Sequence, residues 1–153
     1  MTKKYNIRVY LIIEHGDAVL VTDEFRFGMR MTKFPGGGHE WGEGFADTAK
    51  RECEEELGQT PVSLEHLYTT DFFVEAAFRE GEQLISIYYK ATLPSPDAII
   101  VKQNPFEFDR EEDGVQIFRW VEKNELREED LTFPIDKHLV RLLRSEEHTS
   151  ELQ

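Results

Sequence analysis

A mixed α/β fold, with one mixed sheet held between helices in an α+β arrangement, is what this sequence predicts. Short runs of β-branched and aromatic residues recur along the chain, and stretches with helical spacing interrupt them. At 153 residues, 39% of them hydrophobic and with 11 Phe, the chain is long enough for one sizeable core. No internal repeat and no low-complexity linker divides it, so a single domain over residues 1–143 is expected.

The elements follow in order. Residues 5–13 alternate Ile7, Val9, Leu11 and Ile13 with other residues and read as a strand. Residues 18–22 read as a second, and His15-Gly16-Asp17 between them suits a hairpin turn. Residues 25–32 read as a loop. Lys33-Phe34-Pro35 then leads into Gly36-Gly37-Gly38, where the backbone can turn tightly and approach a ligand closely. A helix begins near Phe45; Gly58 ends it as a C′ residue, and Thr60-Pro61 prevents its continuation. Residues 62–77 read as a strand pair or one long bent strand, and residues 84–93 and 114–121 as further strands. Residues 123–130 suggest a short helix. Pro134 opens a last one through Leu143, whose apolar face is Leu139, Leu142 and Leu143.

Most of the functional signal lies between Gly37 and Gln59. An advance of about 100° per residue places Glu52, Glu55 and Glu56 on one narrow helical sector. Phe45, Ala46, Ala49, Cys53 and Leu57 form an overlapping apolar face, so Glu56 looks toward the edge of the core. Like charges in that position must protonate or find cations. A hard divalent ion with oxygen ligands, Mg2+ first, is the natural partner, and such an ion recruits substrate phosphates.

The spacing resembles the box of the Nudix hydrolase family, G-x5-E-x7-R-E-U-x-E-E-x-G-U, where U is bulky and apolar. Gly37, Glu43, Arg51, Glu52, Glu55, Glu56 and Gly58 fill every polar or glycine position; Cys53 is a small apolar substitute and Gln59 departs from the pattern. The resemblance implies an α/β/α sandwich. It further implies that Glu52, Glu55 and Glu56 hold divalent metal, Mg2+ or Mn2+, with the Gly36 carbonyl as an added ligand. Arg51 would orient the carboxylates through a charge-assisted bond to Glu43.

Composition bounds the setting. A net charge of −13 argues against nucleic-acid polymers and anionic membranes as partners, since these need a basic footprint. A small anionic substrate is still compatible if metal screens the site and Arg26, Arg30 and Lys33 receive phosphates. No apolar run approaches the ~18 residues that span a bilayer, and residues 1–15 lack the pattern of a signal peptide; a cytoplasmic protein is expected. The single cysteine, Cys53, reads as a small core residue.

The resemblance also implies the chemistry: hydrolysis of a nucleoside diphosphate linked to a further group, by attack of water on phosphorus. A general base is required, and the acidic run before residues 114–121 supplies Glu112 first and Glu111 next. Phe133-Pro134-Ile135-Asp136 resembles the segment near the base in family members that remove oxidised purine nucleoside triphosphates, which brings Asp136 forward as a substrate contact. A proline marking ADP-sugar hydrolases of the family is missing from Asp71-Phe72-Phe73-Val74-Glu75. A nucleoside triphosphate, modified or not, and a nucleotide sugar or dinucleotide stay open together as substrates, both ahead of a module that senses nucleotide without cleaving it.

Residues 144–153, Arg-Ser-Glu-Glu-His-Thr-Ser-Glu-Leu-Gln, resemble one translated frame of a widely used sequencing-library adapter. They are expected to be a non-native tail that packs on nothing. Without them the net charge is −11.

Overall fold

The computed structural model describes residues 3–152, with side chains described for residues 3–145. The strands are β1 (Lys4–His15), β2 (Ala18–Arg26), β3 (Met29–Lys33), β4 (Gly36–Gly38), β5 (Ser63–Thr69), β6 (Glu82–Thr92) and β7 (Gln116–Glu122). The helices are α1 (Phe45–Leu57) and α2 (Pro134–Leu152). This is the mixed α/β class that the sequence predicts. The chain forms two compact units, residues 3–13 with Pro35–Pro96 and Glu14–Phe34 with residues 97–152.

In the first unit β1 is paired on one edge by antiparallel β4 and on the other by parallel β6, which in turn carries antiparallel β5. Alternation along β1 sends Val9, Leu11 and Ile13 to one face, where they are fully buried. Ile87, opposite Val9 in β6, shares that face. Helix α1 packs on β4 and β6 and contributes Ala49 and Cys53 to this core. The opposite face carries Arg8, Tyr10 and Ile12, with Ser86 and Tyr88 beside them in register.

In the second unit β2 is central. Its one edge pairs with β7 throughout; the other takes the end of β1 and then β3. Asp23 of β2 is fully buried and satisfied, accepting from Arg119 at 2.5 and 3.1 Å and from the Thr32 hydroxyl at 2.7 Å. Helix α2 lays Ile135, Leu139, Val140 and Leu143 into a core with Leu126 and Leu131.

Several expectations are corrected. Residues 25–32 are not a loop but a hairpin, β2 turning into β3 at Phe27 and Gly28 with φ of 53° and 71°. Asp113 stabilises this turn by accepting the Phe27 N–H at 2.9 Å. The glycine triplet is extended and paired, not a free turn. Residues 62–77 give one strand only. It stops at Thr69 because Thr70 Oγ1 takes over the Ser86 N–H at 2.8 Å, and beyond it a lone bridge joins Glu75 to Gln83. Residues 123–130 form two short 3-10 turns, Lys123–Glu125 and Glu128–Asp130, separated where extended Leu126 buries its side chain. Helix α2 runs on past Leu143 to Leu152. The tail's expected lack of packing lies outside the described side chains from residue 146 onward. Its first residue does make one contact, Arg144 Nη1 donating to the Leu126 carbonyl at 2.6 Å. Among the described residues no helix is long and apolar enough to cross a membrane.

Candidate active site

The site is built from β4, the loop of residues 39–44 and α1. Gly36 lies at φ +148°, and a Cβ there would stand 2.2 Å from the Val9 carbonyl oxygen and 2.7 Å from Tyr10 Cα. Only glycine lets β4 press this closely on β1. Gly37 serves a different end: its missing Cβ would lie 2.3 Å from Glu52 Oε1, so the Glu52 carboxylate rests directly on the strand backbone.

The following loop is pinned at several points. The His39 ring nitrogen Nε2 bonds the Glu43 carbonyl at 2.7 Å, and the ring meets Phe45 edge-on at 5.0 Å. Glu43 Oε1 accepts the Glu40 N–H at 3.2 Å and the Thr48 hydroxyl at 2.8 Å. Helix α1 then starts at Gly44, whose N–H is taken by the Asp47 carboxylate at 2.9 Å. It ends at Gly58 in the left-handed conformation, φ 68°, whose N–H returns to Glu54.

Arg51 joins these parts. Its Nε donates to Glu43 Oε2 at 2.7 Å and its Nη2 to Glu43 Oε1 at 3.0 Å and to the Gly38 carbonyl at 2.9 Å. Nη1 reaches Glu52 at 3.1 Å and Glu55 at 3.3 Å. The Arg51 bond holds the Glu43 carboxyl at a pKa of about 2, and Glu43 in turn raises that of Arg51. Glu52 is displaced the other way, upward, because burial disfavours its charge more than Arg51 and Arg8 favour it. Glu56 carries a carboxylate oxygen with almost no solvent exposure. Burial pushes the Cys53 thiol up to about 12, which leaves it an inert core residue.

Glu43, Arg51, Glu52, Glu55 and Gly38 are thus brought together, and Glu56 follows on the same helical stripe. Among the described residues no three acidic, histidine or cysteine side chains already converge as a cation site; Glu52 and Glu55 are both turned onto Arg51. The donor set suits a hard divalent ion all the same, being carboxylate oxygen throughout. Burial and acidic crowding leave negative charge there that a cation would offset.

The remaining candidates lie in the second unit, each with partners of its own. Arg30 makes two bonds to Glu111, at 2.8 and 3.1 Å, which hold the Glu111 carboxyl below its usual range. Lys33 and Arg26 approach Glu24 at 3.2 and 3.7 Å. Glu112 is exposed and pairs with Arg110 at 3.2 Å, and Asp136 is buried in the first turn of α2. Two contributors escape a reading of the sequence. Thr48 shows itself only by its bond to Glu43. Arg8 is placed by the register that sets it opposite Gly38, and strand alternation was the one local signal for its face.

A family model described as the NUDIX domain matches residues 2–143, a span that runs through both units. Among solved structures the chain is similar to a NUDIX hydrolase from Nitrosomonas europaea, at 22% identity over 95% of this chain and 89% of that one, with a TM-score of 0.64. It is similar also to the MutT protein from Bacillus halodurans, at 23% identity over 90% and 82% of the two chains, TM-score 0.62. For a MutT NUDIX hydrolase from Burkholderia pseudomallei the identity is 24% over 91% and 95%, TM-score 0.60. At these identities the likeness establishes the fold. No curated protein matches the chain.

Proposed function

The chain belongs to the Nudix family, whose members are pyrophosphohydrolases of nucleotide-like substrates, and we propose that it cleaves a nucleoside triphosphate with Mg2+, for which Mn2+ can substitute. The observation that carries this reading is the buried Glu52 carboxylate laid on Gly37, with Glu55 and Glu56 along the same stripe and Arg51 holding the frame. Two of the similar structures bear the name MutT, one of them as a NUDIX hydrolase, which agrees with hydrolysis as the reaction.

Glu52, Glu55 and Glu56 would hold the ion, with the Gly36 carbonyl as a further donor. When bound, a divalent ion screens the phosphate oxygens and supplies a water more acidic than bulk. Arg51 acts without touching substrate: its bonds to Glu43 and the Gly38 carbonyl fix where Glu52 stands relative to β4. Glu43, ionised down to a pH of about 2, keeps Arg51 in place throughout the working range. Glu112 is the proposed general base. Glu111 ranks behind it because Arg30 lowers its proton affinity. Arg26, Arg30 and Lys33 are proposed phosphate contacts and Asp136 a base contact. The three cations would have to exchange Glu24 or Glu111 for substrate oxygens.

The test is a panel of nucleoside triphosphates, oxidised-purine triphosphates, nucleotide sugars and dinucleotides with Mg2+, reading released phosphate and pyrophosphate. Turnover of a triphosphate is expected, lost in chelator and regained with Mg2+ or Mn2+. Glu56→Gln should fall about a hundredfold or more while staying folded, the scale of losing one well-placed charge-stabilising group. Full activity in excess chelator would sink the metal assignment. Cleavage confined to nucleotide sugars would replace the substrate, and nucleotide binding without cleavage would identify a sensing module.

A further inference from the structure

Gln59 stands where the box pattern calls for a bulky apolar residue, and its side chain has a specific partner. Nε2 donates to the Ser95 carbonyl at 2.7 Å, and Oε1 accepts the Ser95 N–H at 3.0 Å. Ser95 lies between Pro94 and Pro96, neither of which has an N–H, so within that run it alone can both donate and accept through its backbone. A residue that precedes proline is also held extended, with its N–H and carbonyl on one side. The Gln59 amide therefore pairs with Ser95 as a neighbouring strand would, just beyond the end of β6.

Other bonds converge on the same stretch. Gly58 returns its N–H to the Glu54 carbonyl at 3.1 Å, Thr60 Oγ1 donates to Glu54 Oε1 at 3.0 Å, and the Val62 N–H reaches the Thr92 carbonyl at 2.7 Å. The exit of α1 is thus closed on itself and then tied to the end of β6. An apolar side chain at this half-buried position would hold the helix only by covering surface, a force without direction. Two hydrogen bonds of opposite sense to one extended residue fix both separation and rotation. Glu56 and Glu55 precede Gln59 by three and four residues, about one helical turn, while Arg51 secures the middle of α1 to the Gly38 carbonyl.

We propose that Gln59 is a positioning residue: bridged to Ser95, it sets the height and rotation of the last turn of α1, and with them the Glu55 and Glu56 carboxylates that would hold the divalent ion. That the ligand is an ion rests on the metal reading of the acidic stripe. That Gln59 steadies the stripe does not.

The test uses the full chain and two readings that need no turnover: Mg2+ affinity by calorimetry without substrate, and amide hydrogen exchange along α1 in chelator. Gln59→Met keeps the length of the side chain and removes both bonds; Gln59→Leu supplies the apolar residue that the box pattern has. Each is expected to weaken Mg2+ about 3- to 10-fold, the scale of losing one or two neutral hydrogen bonds. Exchange at the Gly58 amide should quicken more than at Ala49 in the body of the helix. A residue that only stabilised the fold would lower the melting temperature and leave the Mg2+ affinity of the folded chain as it is. Wild-type Mg2+ affinity in both variants therefore overturns the proposal, and so does unchanged exchange at Gly58. Should both variants fail to fold, Ser95→Pro, which deletes the N–H from the other side of the bridge, is judged by the same two readings. A wild type that binds no Mg2+, with Gly58 exchange still quickened by Gln59→Met, sinks the metal reading and keeps the clamp on the stripe. Mg2+ bound with an affinity indifferent to residue 59 does the reverse.

Discussion

Two carboxylates bonded to Arg51 take opposite courses with pH, Glu43 because that guanidinium lowers its pKa and Glu52 because burial outweighs it. The Glu43 carboxyl has a folded pKa of about 2, below its ordinary 4.5, so its stabilising contribution is complete above about pH 4.5 and is lost as pH falls from there toward 2. Glu52 is shifted upward by burial, so the folded state is favoured when it is protonated, and that advantage is lost as pH rises through the raised value. Glu43→Gln is therefore expected to melt below wild type at pH 7, with the gap closing toward pH 2. Glu52→Gln and Glu56→Gln should melt no lower than wild type at pH 7 in chelator, and should gain less from added Mg2+. Thermal melts from pH 2 to 8, with and without the ion, check all three; equal ion-induced shifts in wild type and Glu56→Gln would remove Glu56 from the ligand set. The acidic stripe was legible in the sequence because residues three and four apart share a helical face. Arg8 was not, since a lone arginine on a strand acquires its place only from a register set by β4, a distant part of the chain.

Among the elements α1 was the most legible, because what ends a helix is local: Gly58 takes the left-handed conformation that stops it, and Thr60-Pro61 follows. β4 was the least. Glycine has little strand propensity, and what makes the triplet a strand is pairing with β1, which no local pattern encodes. The β2–β3 turn escaped for a related reason: Phe27 at φ 53° stands where Asn or Gly is usual. The two neighbouring glycines of β4 make separable predictions. A Cβ at Gly36 meets backbone, the Val9 carbonyl oxygen at 2.2 Å, in a region of φ that side chains avoid. Gly36→Ala is expected to lose about 2 kcal/mol or more of stability. The three atoms nearest a Cβ at Gly37 all belong to the end of the Glu52 side chain, which can swing away. Gly37→Ala should keep most of its stability in urea melts and lose activity, because it evicts the carboxylate from its seat. Equal melts with equal activities for the two variants would contradict this division.

For the molecule as a whole, the order of the longer strands and of α1 and α2 was readable from hydrophobic spacing, whereas the grouping into two compact units was not, since it depends on which distant strands pair. The boundary at Leu143 belongs to the same scale. The family match ends at residue 143, and Leu143 is also the last of the buried apolar residues described in α2, after Ile135, Leu139 and Val140. Arg144, just beyond, ties to the Leu126 carbonyl. If residues 144–153 are adapter-derived, as their sequence suggests, truncation after Leu143 should leave kcat/KM unchanged and lower stability by no more than the scale of one or two hydrogen bonds, roughly 1 to 3 kcal/mol. Steady-state rates and melts of the truncated and full chains measure both quantities, and resequencing the source DNA across the boundary tests the origin directly. Lost activity, a fall of several kcal/mol, or ten native codons in the source would mean that α2 needs its full length and that the segment is genuine protein.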